Sequence, residues 1–214
     1  MATPVGITRP DRWAQYGKHL VYFPSRKNHK QIICDSVLEG DYCVHLEWDN
    51  EVISYSSQPG ELEVTIANRP GRYRPDFRVD TADTTYFTEV KFDFTALRPR
   101  EREKLLAAQQ SFAQLGYTLA YADNNSIRKG SRLQNLKFLY FQSFNTKDAE
   151  AIGCLAWLRQ VSYPVTLRQL IHCDRPVSES MIYKALFKGQ LVTNLDTPLY
   201  LDSVVEKLIE DLGM

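Results

Sequence analysis

The chain has 214 residues, of which 43% are hydrophobic and 24% charged, and this globular composition excludes a disordered chain. Its 26 basic and 26 acidic side chains cancel, which argues against a nucleic-acid binder that depends on overall charge. No apolar run approaches the roughly 20 residues of a membrane span, and residues 1–10 lack a signal core, so we expect a cytoplasmic protein. The four cysteines lack zinc-site spacing and are expected to be free thiols.

The first half of the chain predicts an α/β core. Residues 1–28 are basic and aromatic and are predicted to form an N-terminal arm. Residues 29–48 carry apolar side chains at helical spacing and are expected to form a helix. Four β-like runs follow at 52–57, 61–67, 73–79 and 85–92, with turn residues at 68–71 and 80–83. The last two runs predict an antiparallel hairpin.

A helix at 99–115 and a strand at 117–122 complete this core and predict a mixed sheet. The apolar pattern from residue 132 to 144 does not separate a helix from a strand. We therefore predict one α/β domain over residues 29–145, in which helices flank a mixed sheet.

The sequence changes character at residue 146. Thr146, Thr166 and Ser178 are each suited to cap the start of a helix. Two short strands are predicted at 191–193 and 198–200, and a last helix at 203–212. This order of elements is typical of a winged helix, so residues 146–214 are predicted to form a small winged-helix domain.

The sharpest feature is Pro75-Asp76 on the first strand of the hairpin and Glu89-Val90-Lys91 on the second. Side chains alternate along a strand, so Glu89 and Lys91 face the same way, and strand pairing can bring Asp76 beside Glu89. Two converging carboxylates repel unless a divalent cation neutralises them, and oxygen ligands suit Mg²⁺ or Mn²⁺. Lys91 can then orient or deprotonate a water, or hold transition-state charge. This is the PD-(D/E)xK pattern of metal-dependent nucleases; the alternative is a surface hairpin with charged outward positions.

Further segments extend this pattern in a fixed order along the chain. They are FPSRK at 23–27, DSVLEGD at 35–41, LEWD at 46–49, VISY at 52–55, QP at 58–59, YRPDF at 73–77 and EVK at 89–91. Together they resemble TnsA, the endonuclease subunit of heteromeric transposases. GQLVTNLD at 189–196 resembles the winged-helix domain of that family.

The resemblance implies that Glu39, Asp76, Glu89 and Lys91 are the catalytic residues. It implies that Asp76, Glu89 and the carbonyl of Val90 hold Mg²⁺, for which Mn²⁺ can substitute. It also implies a restriction-endonuclease-like mixed sheet flanked by helices, followed by the winged helix. The sequence departs from the family at Asp35, where many members have Glu, and at Gly40, where a larger residue is common. Neither departure changes a residue of the implied catalytic set.

The activity implied by the resemblance is cleavage of the non-transferred strand, at the 5′ ends, in double-stranded DNA at transposon ends. The implied partners are a TnsB-type transposase and a TnsC-type AAA+ ATPase, with no membrane. Two alternatives stay open on this core: a stand-alone restriction- or repair-type nuclease, and an inactive core that serves as an adaptor.

One basic stretch is a candidate for DNA contact. Residues 124–146 contain no acidic side chain and four basic ones, Arg128, Lys129, Arg132 and Lys137. These four are predicted to bind phosphate, although a solvated surface with no ligand is the alternative. Residues 146–214 carry slightly more acidic than basic side chains, so the winged helix is expected to bind protein rather than to read DNA.

Overall fold

The computed structural model describes residues 20–66, 69–146, 149–174 and 177–206. The chain divides into two compact units between Ile127 and Arg128. This division lies earlier than the predicted domain boundary at residue 146, which stays a prediction. Residues 1–19 of the predicted arm lie outside the described part, whereas residues 21–25 form a strand of the first unit.

The first unit contains eight strands and three helices in its described part. Its elements are β1 (Val21–Ser25), β2 (Lys30–Cys34), α1 (Val37–Trp48), β3 (Val52–Ser57), β4 (Leu62–Ile66), β5 (Arg69–Tyr73), β6 (Phe77–Thr81), β7 (Thr85–Lys91), α2 (Pro99–Gln114), β8 (Thr118–Asp123) and α3 (Asn124–Ile127). The central sheet has the order β3-β6-β7-β8, while β1 pairs with β2 and β4 with β5.

The central sheet is mixed, as the sequence predicted. β3, β6 and β7 are antiparallel, and β8 runs parallel to β7 because helix α2 connects the two strands. The predicted hairpin is confirmed, with Phe77 paired to Thr88 and Asp80 to Thr85. Phe87 contacts Phe112 on α2, whereas its neighbour Thr88 contacts Tyr42 on α1. Since neighbouring strand residues face opposite sides, the two helices cover opposite faces of the sheet.

Helix α2 follows its predicted bounds closely. Its buried residues Ala108 and Phe112 pack on Phe87 and Leu119 of the sheet. Gly116 follows the C-cap Leu115 and stops the helix, since its φ of +79° is a left-handed conformation that glycine adopts without steric cost.

The first predicted helix is wrong in its N-terminal part. Residues 30–34 form β2, and α1 begins at Val37 after the cap Ser36, whose Oγ accepts from Glu39 N at 3.1 Å. The helical spacing predicted for residues 29–48 therefore spans a strand, a junction and a helix. The β-branched pair at 32–33 instead favours a strand, and β1 pairs with it throughout.

Gly40 allows β1 to approach α1 closely. A Cβ at this position would lie 2.9 Å from Val21 Cγ1. The glycine therefore supports packing at a helix position where its low helix propensity is unfavourable.

The predicted strand at 73–79 is also wrong, because it is two strands. Tyr73 ends β5, Phe77 begins β6, and Arg74, Pro75 and Asp76 connect them. The predicted turn at 68–71 falls mostly inside β5, which pairs with β4. Proline at the junction suits the break, since it cannot donate a ladder hydrogen bond inside a sheet.

A buried carboxylate ties β1 to the rest of the first unit. Glu47 is 1% exposed, and its Oε1 accepts from Ser25 Oγ and, at 2.9 Å, from Tyr55 Oη. Its Oε2 accepts from the backbone of Lys27. Donors on both oxygens satisfy a charge that would otherwise be costly to bury.

The second unit is mainly helical in its described part. Its elements are α4 (Arg132–Gln142), a 3₁₀ turn (Ser143–Asn145), α5 (Ala149–Leu158), β9 (Val165–Thr166), α6 (Leu167–His172), α7 (Glu179–Phe187) and β10 (Val204–Val205). The ambiguous segment at 132–144 is thus a helix, and it packs on α7. Thr166 caps α6 through a hydrogen bond from Gln169 N, as predicted, and Ser178 is the N-cap residue of α7.

Three predictions for the C-terminal part are wrong. Residues 191–193 form no strand, although Val192 makes an isolated antiparallel bridge with Glu206. Residues 198–200 form no strand, because buried Asn135 holds this loop by donating to Leu195 O and Thr197 O and accepting from Leu199 N. The predicted last helix begins instead with strand β10, which pairs with β9. Its remainder, from residue 207, lies outside the described residues.

None of the helices in the described ranges is both long and apolar enough to cross a membrane. The four cysteines are free thiols; Cys34, Cys43 and Cys154 are buried and Cys173 is exposed.

Candidate active site

Asp76 is fixed directly beside β7. Its Oδ2 accepts a hydrogen bond from Val90 N at 2.7 Å, and its carbonyl accepts from Gln58 N at 2.7 Å. Because Phe77 pairs with Thr88, Asp76 lies next to Glu89 at the point where β6 begins. The structure thus brings together the two carboxylates that the sequence predicted, although Asp76 precedes the strand instead of lying on it.

Glu89 is 6% exposed and has a partner on each carboxylate oxygen. Lys91 Nζ lies 2.5 Å from its Oε1, and Tyr73 Oη donates to its Oε2. Lys91 Nζ also lies 3.7 Å from Asp76 Oδ2. One ammonium group therefore lies between two carboxylates.

The carbonyl of Val90 points to the same side as these groups. In a strand, the N–H and C=O of one residue face the same neighbour, and Val90 N donates to Asp76. Lys91 Nζ donates to Val90 O at 3.3 Å, which agrees with this direction.

Glu39 lies in the first turn of α1 and is bound to the helix start. Its Oε2 accepts from Asp35 N at 2.9 Å and its Oε1 from Ser36 Oγ at 3.0 Å. With the Ser36 cap, these bonds hold the start of the helix, but Glu39 accepts from the amide of Asp35 and not from that of the N-cap Ser36, so the pattern is not a capping box. Burial raises the pKa of Glu39, and the charge of Lys91 opposes that rise. The structure gives Glu39 a local role in starting the helix; its catalytic role stays a prediction.

The site carries more negative than positive charge. Burial, and then the charge of Glu89, raises the pKa of Asp76 to about 7, against the opposing effect of Lys91. Burial acts to lower the pKa of Lys91, but the charges of Asp76 and Glu89 outweigh it and the pKa is raised. Lys91 is therefore a cation at neutral pH, and the carboxylates repel one another.

These residues fit a hard divalent cation. Within the described ranges, no group of three His, Cys, Asp or Glu side chains is arranged to hold a metal ion. The donors that converge here are instead two carboxylates, Asp76 and Glu89, and the backbone oxygen of Val90. An all-oxygen set with few protein ligands suits Mg²⁺, which retains several waters, and a cation would relieve the repulsion that raises the pKa of Asp76.

Two tyrosines at this site were not predicted. Tyr73 is 5% exposed, and burial followed by the charge of Glu89 raises its pKa. Tyr121 on β8 pairs with Glu89 across the sheet, and burial and the same charge raise its pKa. The Tyr121 position follows from the pairing of β7 with β8. Tyr73 was missed because the sequence prediction placed it on the same strand as Asp76, whereas it ends the separate strand β5.

The predicted DNA-contact residues all lie in the second unit. Arg132 forms a bidentate ion pair with Asp196, with Nε–Oδ1 at 2.7 Å and Nη2–Oδ2 at 3.0 Å. Lys129 is exposed, and Arg128 and Lys137 are half-buried. Their assignment to phosphate binding stays a prediction, and Arg132 would have to exchange Asp196 for phosphate.

Residues 25–127 match the family model RE_endonuc, described as an endonuclease domain. The chain carries a restriction-endonuclease-like nuclease domain. The match ends at Ile127, where the first compact unit also ends, and it includes every residue of the carboxylate site. No curated protein matches the chain, so the finer resemblance to TnsA depends on the sequence motifs.

Proposed function

We propose that the chain is the metal-dependent DNA endonuclease subunit of a heteromeric cut-and-paste transposase, and that it cuts the non-transferred strand at the 5′ ends. The observation that carries the nuclease part is the convergence of Asp76, Glu89, Lys91 and the Val90 carbonyl within the endonuclease domain. The ordered motifs shared with TnsA support the transposase part.

Asp76, Glu89 and the Val90 carbonyl would hold Mg²⁺, with Mn²⁺ as a substitute. The bound ion supplies a water of lowered pKa and neutralises charge that develops on the phosphate. The chain's own contribution is to place two carboxylates and one carbonyl on adjacent strands, where the sheet fixes their spacing.

Lys91 serves in this proposal as a fixed cation. Its raised pKa keeps it protonated, which favours charge stabilisation over the alternative of proton abstraction. Its side chain is 38% exposed, so the ammonium can turn from the carboxylates toward a scissile phosphate when a metal ion takes its place.

The second unit serves as the docking domain. The chain order α5, β9, α6, α7, β10, with β10 antiparallel to β9, supports the winged-helix prediction. The slight acidic excess of residues 146–214 favours a basic protein partner over DNA. We therefore propose that a TnsB-type transposase and a TnsC-type AAA+ ATPase recruit the nuclease to double-stranded transposon ends.

The test is a strand-specific cleavage assay on end-labelled transposon-end DNA, with Mg²⁺, in the presence and absence of a TnsB-type transposase. We expect cuts in the non-transferred strand only when both proteins are present, and none with EDTA. Cutting that ignores the transposon end would overturn the transposase part.

A stand-alone restriction- or repair-type nuclease is the second candidate. The match to an endonuclease model that names no transposase favours it. It predicts that the chain alone cuts DNA without transposon ends, which the same assay measures in its partner-free arm.

A further inference from the structure

The ring of Tyr73 is packed on several sides, and this packing restricts where its hydroxyl group can lie. Its ring packs edge-on against Phe112 at 6.2 Å between centroids, and Lys104 Nζ lies 5.9 Å from the ring centroid on α2. It belongs to the same buried cluster as Leu62 and Phe87. This packing fixes the ring, so the hydroxyl has a defined position at the carboxylate of Glu89.

The two oxygens of Glu89 have different partners. Oε1 faces the Lys91 ammonium, which also approaches Asp76, and Oε2 faces the buried Tyr73 hydroxyl. A cation shared between Asp76 and Glu89 must use the side where Lys91 now lies. The Tyr73 bond lies on the other oxygen, so it can persist when Lys91 gives up its contact.

We propose that Tyr73 is a positioning residue that holds Oε2 of Glu89 so that Oε1 faces Asp76 for divalent-cation binding. The proposal deepens the proposed function and rests on it. A neutral donor suits this role, because it satisfies a buried carboxylate without adding a charge that competes with the metal. Outer partners of metal ligands are typically worth about 10- to 100-fold in metal affinity.

The variant Tyr73→Phe removes only the hydroxyl and keeps the packed ring. Calorimetric titration of the full chain with Mn²⁺, without DNA, is expected to show a dissociation constant raised about 10-fold or more. The Mg²⁺ concentration for half-maximal cleavage should rise by a similar factor. The cleavage rate at saturating Mg²⁺ should stay within about 3-fold of wild type, because the ligands themselves are intact.

Tyr55→Phe is the matched control. Tyr55 is also buried and donates to a buried carboxylate of the same unit, Glu47 Oε1, which is not a proposed metal ligand. It should lose a comparable amount of stability, measured by urea unfolding, with an unchanged Mn²⁺ affinity.

Three results are informative. Wild-type affinity in Tyr73→Phe overturns the role of Tyr73 and leaves the proposed function standing. An equal loss of affinity in both variants also overturns it, because the effect is then general destabilisation. If the wild-type chain binds no Mn²⁺ while its unfolding is cooperative, the metal site of the proposed function fails and the inference with it.

Discussion

The backbone amide of Val90 donates to the carboxylate of Asp76, and this one bond ties the residue before β6 to the strand that carries Glu89 and Lys91. Val90 is 6% exposed, so its N–H has no ready access to water if the carboxylate is removed. Asp76 is therefore a hydrogen-bond acceptor for the sheet as well as a proposed metal ligand, and substitutions can separate the observed role from the proposed one.

Asp76→Asn is expected to lower the Mg²⁺-dependent cutting rate by more than about 100-fold, since metal sites contribute several kcal/mol to such reactions. Its amide oxygen can still accept from Val90 N. Asp76→Ala should lose the same activity and, in addition, about 1–3 kcal/mol of unfolding free energy, because the amide is left unpaired. Cleavage kinetics and urea unfolding of the two variants at one pH measure both effects. Wild-type cutting by Asp76→Asn would refute the site.

The metal-free protein should lose stability as the pH rises. The pKa of Asp76 is raised in the fold from 3.8 to about 7, so the protonated form stabilises the fold at low pH. That contribution is present below about pH 4 and is lost as the pH passes through 7, with an upper limit of about 4 kcal/mol. Urea unfolding in EDTA from pH 5 to 8 should show Asp76→Asn gaining stability relative to wild type. A constant difference across this range would contradict the pKa assignment.

Lys91→Ala should separate charge stabilisation from metal binding. We expect a cutting rate about 100- to 1000-fold lower, as for the loss of one oxyanion donor. Mn²⁺ affinity should be unchanged or tighter, because the ammonium that opposes the cation is gone. Lys30→Ala, an exposed lysine of β2, is the control and should cut normally. A loss of metal binding in Lys91→Ala would contradict this separation and would show that Lys91 holds the carboxylates in place for the metal.

Gly40→Ala and Gly153→Ala should have opposite effects on stability. Both glycines lie in helices, where alanine is favoured by about 1 kcal/mol. The new methyl at 40 would approach Val21 Cγ1 to 2.9 Å, whereas at 153 it would meet nothing within 4 Å. We expect a net loss of about 1–2 kcal/mol at 40 and a gain at 153, measured by urea unfolding. A gain at both positions would show that Val21 and β1 can shift away from the new methyl group at little cost.

The isolated chain should bind DNA weakly, in the roughly micromolar or weaker range of non-specific binding, and salt should weaken it further. The chain has no net charge, and Arg132 is already paired with Asp196. Asp196→Asn should therefore increase the affinity, while Arg132→Gln should change it little. Fluorescence titration near physiological salt measures this. Nanomolar, sequence-specific binding to transposon ends by the chain alone would contradict this prediction and would show that this protein recognises the ends itself.

The hairpin and helix α2 could be predicted from the sequence because their signals are local. Alternating apolar residues at 85–92, turn residues at 80–83 and a glycine after 115 each act within a few residues. The pair Asp76 and Glu89 followed from the hairpin, since strand pairing alone brings them together.

Strand β5, the bond from Tyr73 to Glu89 and the burial of Asn135 could not be predicted. Each depends on contacts between residues far apart in the chain, and in β5 the local residue preferences also point away from a strand. Arg69, Pro70 and Gly71 have low strand propensity, yet pairing with β4 makes them a strand. The bond from Tyr73 to Glu89 exists only once that hairpin packs on α2. Asn135, a polar residue in an apolar stretch, is buried because three backbone groups of a distant loop satisfy it.

Strand β8, the parallel partner of β7, is synthesised later than the strands that carry the proposed site. All proposed catalytic and metal-binding residues precede residue 92, but β8, which covers the second edge of β7, spans Thr118–Asp123. A nascent chain that has released only the first hundred residues leaves β7 with an unpaired backbone edge, the kind of surface that templates aggregation. The ribosome must therefore release α2 and β8 before the carboxylates lie in a finished sheet, so translation itself delays any capacity to cut DNA.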